Sequence, residues 1–509
     1  MTDTVQDIVL HQVTMEDLAA DLDRRVASLQ ADAGRVHNSR SLVDEALDSG
    51  DAHYGINTGF GYLKNVRIDR EQVSALQHNL LLSHAVGVGE LIPKPICRLM
   101  LQLKIHALGQ GYSGVSAQTF ERLLLFADRD LIPAIPRQGS VGASGDLAPL
   151  SHMALPLIGY GFFWDVAGKE VVPAETVLEH EGLTPVTLGA KDGLALINGT
   201  QLMTAYGAHV LQKAFSYLKF ADIVAAMSLE ALQGSVAPFD ARIHQLRPHK
   251  GQLEVAENVR RLLLDSEILE SHRNCGKVQD PYSLRCVPQV HGASRDNIRH
   301  AAAVVETEIN AVTDNPLVFH NGDILSGGNF HGQPLALVLD LAAIALAELG
   351  SISERRTYLL LEGHDGLPAL LMQETGINSG FMIPQYTAAA LVSENKVLCH
   401  PASVDSIPTS LGQEDHVSMG SIGALKLLQV MQNVEQILAV ELFTAAQALD
   451  FRKPLAPGKG IEVAHNFIRG IVPHGEKDYY FKHDLTKCAE VVQSGYLVAA
   501  VEQVIGTLR

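Results

Sequence analysis

Apolar residues recur every three or four positions through a long proline-free stretch in the C-terminal part of the chain. They are Ile422, Leu425, Leu428, Met431, Val434, Leu438 and Leu442. Residues at this spacing lie on one face of an α-helix, so the pattern predicts a long helix with one buried side. Similar patterns occupy approximately 71–126, 192–235, 293–312 and 335–361. Segments of this length predict a mainly α fold, an elongated bundle of long, near-parallel helices.

Strand signals are few. The clearest is VFHNGDIL, where Asn321 and Gly322 stand between short β-prone segments, as in a type I′ hairpin turn. A second hairpin signal lies in FFWDVAGKEVV. Because 509 residues exceed what one hydrophobic core usually serves, we expect two domains. Weak boundary signals predict a mixed, loop-rich N-terminal domain over 1–205 and a long-helix bundle domain over 206–509.

Charge and hydropathy disfavour two kinds of partner. The formal net charge is −18 and no Lys/Arg stripe occurs, so we expect no nucleic-acid binding. The most apolar run, 335–349, carries Asp340 and Glu348 within a helical period, which indicates a buried helix and no membrane span. The N-terminal sequence MTDTVQDIVL has acidic residues where a signal peptide has basic ones, so we expect no export.

Cysteine and histidine usage indicates a reducing compartment and no metal site. The five cysteines lie far apart without a C-x-x-C pair. They are Cys97, Cys275, Cys286, Cys399 and Cys488. The 22 histidines are scattered and include no H-E-x-x-H motif. We therefore expect a cytoplasmic protein that holds no metal.

A glycine-rich loop, GSVGASGDLAPLSHMAL at 139–155, precedes an apolar segment. It does not match a serine nucleophile elbow, because Asp146 stands where that motif requires glycine. A phosphate-binding loop would need Lys followed by Ser or Thr, which is absent here. A second motif, GQGYSG at 109–114, follows a helical pattern instead of a strand, so it indicates a helix C-cap and turn and no dinucleotide site.

The loop can carry chemistry made by its own backbone. Gly145 lacks a Cβ, so its amide nitrogen can approach the carbonyl carbon of Ala143 and close a five-membered ring with loss of water. Dehydration of Ser144 then leaves an exocyclic methylene, and the three residues become a 4-methylidene-imidazol-5-one, a strong electrophile. From these three residues alone, a plain turn before a helix is the commoner outcome.

The whole stretch GSVGASGDLAPLSH resembles the signature of the histidine and phenylalanine ammonia-lyase family. The resemblance covers nearly the whole chain, in the order YGINTGFG, LINGTQ, QDPYSLRCVPQVHGA, TDNPLVF, GGNFHGQP, SENK and GQEDHVSMG. It implies elimination of ammonia from an aromatic L-amino acid without redox chemistry or an external cofactor, using the electrophile formed from Ala143-Ser144-Gly145. It also implies a homotetramer whose active sites combine loops of more than one subunit.

The resemblance assigns roles to residues that match the family's motifs. Tyr54 matches a base candidate, and its site must then favour the phenolate, since a tyrosine has a pKa of about 10. Arg285 matches the clamp for the substrate carboxylate, which suits the planar fork of a guanidinium. The other matches are Asn198, which hydrogen-bonds the electrophile or substrate, Tyr282 and Gln279, which line the pocket, and Phe330, which packs near the electrophile.

Two positions bear on the substrate. Ser83-His84 matches the pair found in histidine-specific members, and Glu414 stands where phenylalanine and tyrosine enzymes usually have Gln. A carboxylate can accept a hydrogen bond from imidazole, whereas facing a phenyl ring it is buried without a partner, at a cost of several kcal/mol. The resemblance therefore implies L-histidine as substrate and trans-urocanate as product.

Several alternatives stay open at this point. The nearest are a phenylalanine or tyrosine ammonia-lyase and a related aminomutase; the others are a non-catalytic helical scaffold descended from the enzyme and, already weakened, a serine hydrolase. Either Tyr54 or Glu414 can remove the β-proton. The substrate can meet the electrophile through its amine or through its ring, and the sequence does not choose between them.

Overall fold

The computed structural model describes residues 8–49, 53–59, 61, 64–273 and 276–509. These residues form two compact units, each assembled from separate stretches of the chain. Unit 1 comprises Met1–His209, Ala302–Asp340 and Pro401–Leu425, and unit 2 comprises Val210–Ala301, Leu341–His400 and Lys426–Arg509. The division into 1–205 and 206–509 stays a prediction, because the units are defined by spatial contacts and are discontinuous in sequence.

Unit 1 contains eight complete helices among the described residues. They are α1 (Leu18–Ala31), α2 (Gly34–Ser49), α3 (Val73–His84), α4 (Lys94–Leu108), α5 (Ala117–Asp128), α6 (Leu147–Ala154), α7 (Ala174–His180) and α8 (Asp192–Ile197). The segment predicted as helical over 71–126 is thus three helices, separated by the β-strand after α3 and by the turn at GQGYSG. In that turn Gly109 is the C-cap of α4 and Gly111 has φ +82°, as the glycine pattern predicts.

Three short two-stranded antiparallel sheets also lie in unit 1, and two of them are hairpins. Their strands are β1 (Val88–Leu91) with β2 (Pro136–Gln138), β3 (Phe162–Trp164) with β4 (Val171–Pro173), and β5 (Leu317–Val318) with β6 (Ile324–Leu325). The last two pairs confirm the hairpins predicted at FFWDVAGKEVV and VFHNGDIL. The hairpin at β5 and β6 does not contain the predicted type I′ turn: Val318 pairs with Ile324 across a five-residue loop, and Gly322 has φ +93° whereas Asn321 has no positive φ.

Four long helices contribute residues to both units. They are α9 (Gln201–Ala231), α14 (Val287–Ile309), α15 (Gln333–Leu361) and α17 (Gly420–Asp450). The predicted long helix through Leu428 is therefore confirmed as part of α17. The pattern over 192–235 divides into α8 and α9. Asn198 has an extended backbone and Gly199 has φ +133°, and neither conformation occurs within an α-helix.

The described residues of unit 2 form helices joined by loops, without a β-strand. Its complete helices are α10 (Ala241–Gln245), α11 (Lys250–Leu262), α12 (Glu267–Ser271), α13 (Tyr282–Arg285), α16 (Met382–Leu398), α18 (Lys459–Arg469), α19 (Lys482–Ser494) and α20 (Tyr496–Ile505). Amphipathic packing explains them: α18, for example, buries Ile461, Ala464 and Ile468 on one face. The prediction of a mainly α fold with long helices is confirmed.

Two further expectations concern α15 and the cysteines. Helix α15 is long and apolar enough to cross a membrane by length and composition, and 67% of its most apolar window is buried inside the structure. This burial agrees with the interpretation of 335–349 as a core helix. The four described cysteines form no disulfide with one another. Cys275 lies outside the described residues.

Candidate active site

The loop 139–146 connects β2 to α6 in unit 1, and residues just before α17 hold it. Met419 donates its backbone N–H to the carbonyl of Val141 at 3.0 Å, and the Ser418 hydroxyl donates to the carbonyl of Gly142 at 3.2 Å. Gly142 has φ +67°, and a Cβ there would lie 2.3 Å from Ser418 Oγ. Ala143 packs in a small apolar cluster with Val417 and Met419. The part of the loop that precedes Ser144 is therefore held in place.

Gly145 makes a very close backbone approach to Gly199, in the break between α8 and α9. A Cβ on Gly145 would lie 2.0 Å from the Gly199 carbonyl oxygen, and the Gly145 φ is +79°. The next residue, Asp146, donates its N–H to the same oxygen at 2.7 Å. Both the conformation and the contact therefore require glycine at 145.

The carbonyl oxygen of Ser144 receives two donors from the same break. Asn198 Nδ2 donates to it at 3.1 Å, and Gly199 N donates to it at 3.4 Å. Asn198 is 4% exposed, and its Oδ1 has no hydrogen-bond partner among the described residues. The predicted contact between Asn198 and the loop is thus present in the structure, on the Ser144 carbonyl.

Asp146 joins the loop to the start of α9. Its Oδ2 accepts the N–H groups of Leu202 and Met203 at 3.0 and 3.2 Å, which satisfies donors that an α-helix leaves free at its N-terminus. Burial raises the pKa of Asp146 to about 7, although these two donors favour the carboxylate. The same acid that breaks the nucleophile-elbow pattern is therefore a helix cap.

Glu414 lies against the loop's serine. The Ser144 hydroxyl donates to Glu414 Oε1 at 3.0 Å. The other oxygen, Oε2, accepts from Thr409 Oγ1 at 2.7 Å and from Ser410 Oγ at 3.0 Å. Three hydroxyls thus hold this carboxylate in one orientation. Sequence reasoning found Glu414 but missed Thr409 and Ser410, because isolated hydroxyl residues in a loop carry no distinguishing pattern.

A polar cavity of about 950 Å³ opens beside Ser144, and residues of unit 1 line it. The lining includes the predicted residues Tyr54, Ala143, Ser144, Asn198, Phe330 and Glu414. It also includes residues that the sequence analysis missed, namely Lys64, Arg67, Asn315, His331, Gln413 and His416. Four of them lie inside the motifs TDNPLVF, GGNFHGQP and GQEDHVSMG, while Lys64 and Arg67 follow YGINTGFG by a few positions.

Tyr54 does not show the environment that a phenolate base requires. Burial raises the pKa of Tyr54 above its usual value; the Gly61 N–H, which donates to its hydroxyl oxygen at 3.2 Å, acts in the opposite direction, and the Glu414 carboxylate raises the pKa further. The expectation that this site favours the phenolate is therefore not met in the single chain. Tyr54 is the neutral phenol at neutral pH.

His84 lies at the end of α3 and lines a smaller cavity of about 240 Å³, together with Ser83, Ala143, Gly145 and Glu414. His84 Nδ1 is 3.0 Å from Ser83 Oγ. Burial lowers the pKa of His84, while the Leu80 carbonyl and the Glu414 carboxylate raise it. The imidazole is neutral at neutral pH, and the structure brings His84 and Glu414 to the same loop.

The remaining predicted residues belong to unit 2. Gln279 is exposed and precedes α13, which begins at Tyr282 and ends at Arg285. The Arg285 guanidinium carbon lies 4.4 Å from the centre of the Tyr282 ring, and Tyr282 is 70% exposed. Arg285 Nε has no hydrogen-bond partner among the described residues.

Within the described part of the chain, no group of three His, Cys, Asp or Glu side chains has an arrangement that could hold a metal ion. The predicted residues that unit 1 brings to the loop supply the Ala-Ser-Gly backbone, the Glu414 carboxylate, the Tyr54 phenol and the His84 imidazole. A fixed glycine-rich loop with these groups around it, in a mainly helical chain, is the arrangement that the resemblance implies.

These features define a lyase that acts on aromatic amino acids. The family model "Aromatic amino acid lyase" matches residues 13–470, and the chain belongs to this family. The resemblance inferred from the motifs and the prediction of a lyase are both confirmed.

Individual proteins and solved structures are similar to this chain over most of their length. A histidine ammonia-lyase of Myxococcus xanthus is 52% identical over 471 residues, covering 92% of this chain and 92% of that protein. One of Gloeobacter violaceus is 52% identical over 476 residues, covering 93% and 92%. The crystal structure of histidine ammonia-lyase from Trypanosoma cruzi has a TM-score of 0.86 at 42% identity, covering 92% of this chain and 89% of that one. A tyrosine aminomutase from Streptomyces globisporus has a TM-score of 0.89 at 35% identity, covering 98% and 99%.

Proposed function

We propose that this chain eliminates ammonia from L-histidine and releases trans-urocanate. The observation that carries the proposal is the hydrogen bond from Ser144 to Glu414, which joins an Ala-Ser-Gly loop to a carboxylate at the wall of a polar cavity. The histidine ammonia-lyases that are 52% identical to this chain support the same substrate.

The loop fits the formation of a 4-methylidene-imidazol-5-one from Ala143, Ser144 and Gly145, with no external cofactor. A Cβ at position 145 would overlap Gly199, so this residue has no side chain. No side chain at 145 then hinders the approach of its amide nitrogen to the Ala143 carbonyl carbon during ring closure. Ser144 has its carbonyl held by two donors and its hydroxyl held by one acceptor. Once formed, the group supplies an electrophile that draws electron density from the substrate and helps the amine to leave.

Glu414 is the proposed partner of the substrate imidazole. At present its Oε1 accepts the Ser144 hydroxyl. Dehydration of Ser144 removes that hydroxyl, so Oε1 becomes available to an imidazole N–H while Thr409 and Ser410 still hold Oε2. A phenyl ring offers no donor to this oxygen, and the carboxylate would then be left without a partner. His84 is assigned to the same end of the substrate.

Arg285 is the proposed partner of the substrate carboxylate, with Gln279 and Tyr282 as its neighbours in the pocket. The guanidinium stacks on Tyr282 and has an unsatisfied Nε, which leaves donors for an incoming carboxylate. We assign these three residues to active sites shared between subunits of a homotetramer, located in the cytoplasm. The 70% exposure of Tyr282 supports a surface that another subunit covers.

The β-proton goes to Tyr54 or to Glu414. Tyr54 is neutral at neutral pH in the single chain, so as a base it must first lose its proton to another group. Glu414 is a carboxylate held by hydroxyls, and it needs no such prior step. Phe330 lines the same cavity.

The proposal is tested by incubating the purified protein separately with L-histidine, L-phenylalanine and L-tyrosine. Ammonia release and the ultraviolet absorbance of the unsaturated acid are followed, and residual amino acids are separated by chromatography. We expect urocanate and ammonia from L-histidine alone. Cinnamate or coumarate would overturn the assignment of His84 and Glu414, and a β-amino acid would indicate an aminomutase.

A further inference from the structure

A lysine lies buried beneath the loop, in the interior of unit 1. Lys104 belongs to α4 and is 1% exposed. Its Nζ donates to the carbonyl oxygen of Asn198 at 2.7 Å. Burying an ammonium group costs free energy unless its donors are used. The position of this charge, on the backbone of a site residue, therefore needs a reason.

The acceptor of Lys104 belongs to a peptide group that contacts the loop. The carbonyl of Asn198 and the N–H of Gly199 form one peptide group, and that N–H donates to the carbonyl oxygen of Ser144 at 3.4 Å. Lys104, the Asn198-Gly199 peptide and the Ser144 carbonyl thus form a continuous row of hydrogen bonds. A donor on the oxygen of an amide polarises its N–H, so the ammonium form of Lys104 strengthens the donor that faces Ser144.

The groups around Lys104 are themselves buried and ionisable. Lys191 Nζ is 2.7 Å from Asp314 Oδ2, and both side chains are buried. Burial lowers the pKa of Lys104 to about 7; Asp314 and Asp146 favour the ammonium, and Lys191 disfavours it. Asp314 is thus paired with Lys191, and the hydrogen bond that Lys104 makes is the one to the Asn198 carbonyl.

The Ser144 carbonyl is where negative charge develops when the loop is converted. The Gly145 nitrogen bonds to the carbonyl carbon of Ala143, and the Ala143 oxygen leaves as water with the amide protons of Ser144 and Gly145. A second water is then lost, which is formed from the Ser144 hydroxyl and the Ser144 Cα proton. Removal of that Cα proton places charge on the adjacent Ser144 carbonyl oxygen, where donors stabilise it.

We propose that Lys104 is a positioning residue for this reaction: through the Asn198-Gly199 peptide it aligns and polarises the donor on the Ser144 carbonyl. The inference rests on the proposed function and adds a residue outside the cavity wall. The same oxygen stays on the ring after conversion, so Lys104 acts in turnover as well as in formation of the electrophile.

Three variants separate the charge from the hydrogen bond. Lys104→Arg keeps a charged donor, Lys104→Gln keeps a neutral donor, and Lys104→Met removes both. Lys94→Met is the matched control, because Lys94 lies on the same helix, is 7% exposed and bonds Asp130 at 2.8 Å, away from the loop. For each purified protein, intact mass measured at intervals after synthesis gives the fraction that has lost two waters. Circular dichroism gives the fold, and kcat and KM are measured on L-histidine.

We expect Lys104→Gln to lose the two waters about tenfold more slowly than wild type, a smaller effect than the roughly 100-fold loss typical when a direct oxyanion donor is removed. Its kcat falls to a similar extent, with KM within about twofold of wild type. Lys104→Arg recovers at least part of both, and Lys94→Met matches wild type. If Lys104→Met does not fold, the rates of water loss and the kcat values of Lys104→Gln and Lys104→Arg test the inference without it.

The inference is overturned if Lys104→Gln converts and turns over like wild type, or if Lys94→Met is impaired to the same degree, since a general packing role would then suffice. A wild-type protein that loses no water and releases no ammonia would instead overturn the proposed function, and the role of Lys104 with it. The wild-type mass thus distinguishes the two failures.

Discussion

Glu414 accepts a hydrogen bond from the hydroxyl of Ser144 at 3.0 Å, across 270 positions of sequence. The contact joins the residue that would supply the methylidene carbon to the residue that would receive the substrate's imidazole. Because Thr409 and Ser410 hold the other oxygen of the carboxylate, Glu414 keeps its orientation when the Ser144 hydroxyl is lost. The same side chain thus links the unconverted loop with the choice of substrate.

Replacing Ser144 by alanine should abolish turnover and leave the fold intact, because it removes the hydroxyl that dehydration requires. Ser151→Ala is the matched control: Ser151 is buried in α6, and its hydroxyl has no hydrogen-bond partner among the described residues. The measurement is ammonia release from L-histidine together with circular dichroism. Wild-type activity of Ser144→Ala would exclude the Ala-Ser-Gly loop from the chemistry.

Glu414→Gln should lower kcat/KM for L-histidine by at least about tenfold, since a hydrogen bond to a charged group contributes roughly 1.5–3 kcal/mol. Inhibition by glycine, which has the carboxylate and amine but no ring, should stay the same. Asp415→Asn, a change of the same kind in the same cavity, serves as control. Unchanged histidine kinetics in Glu414→Gln would remove this carboxylate from ring recognition.

Gly145→Ala should destabilise the protein and block the loss of two waters. A positive φ costs an alanine about 1 kcal/mol, and the overlap with the Gly199 oxygen adds about 1–3 kcal/mol. Gly182→Ala separates the two effects, because Gly182 has φ +67° with nothing within 4 Å of an added Cβ. The midpoint temperature of thermal unfolding should therefore fall further for Gly145→Ala than for Gly182→Ala. Equal shifts would mean that the contact with Gly199 is not tight in solution.

The activity should rise as the pH increases above neutrality if Tyr54 is the base. Burial raises the pKa of Tyr54, so little phenolate is present at neutral pH and more forms at alkaline pH. Tyr54→Phe then loses this alkaline limb, while Tyr160→Phe, at a tyrosine that is 52% exposed, keeps it. A pH profile of kcat/KM that is the same in Tyr54→Phe and in wild type would assign the proton transfer to Glu414.

Periodicity predicted the long helices well, because one buried face fixes the spacing of apolar residues along α15 and α17. It failed at Asn198, where the apolar pattern continues but a close approach to Gly145 forces an extended backbone. Such a break depends on a contact between residues far apart in sequence, which no local pattern encodes.

The candidate site was likewise predictable from the sequence only in part. Motifs located Ser144 and Glu414, while their mutual hydrogen bond and the hydroxyls of Thr409 and Ser410 needed the folded chain. Lys104 stands within the apolar run RLMLQLKIHAL, where a single lysine suggests a side chain that reaches solvent. Its burial against Asn198 became visible in the structure alone.

The central claim is that Ala143, Ser144 and Gly145 form the electrophile of a histidine-specific lyase. The most direct test is the mass of the purified, active chain and of the peptide that carries residues 139–155. We predict that both are lighter than their sequence masses by two water molecules, and that Ser144→Ala does not lose both. A chain at its full sequence mass that still converts L-histidine to urocanate would contradict the account.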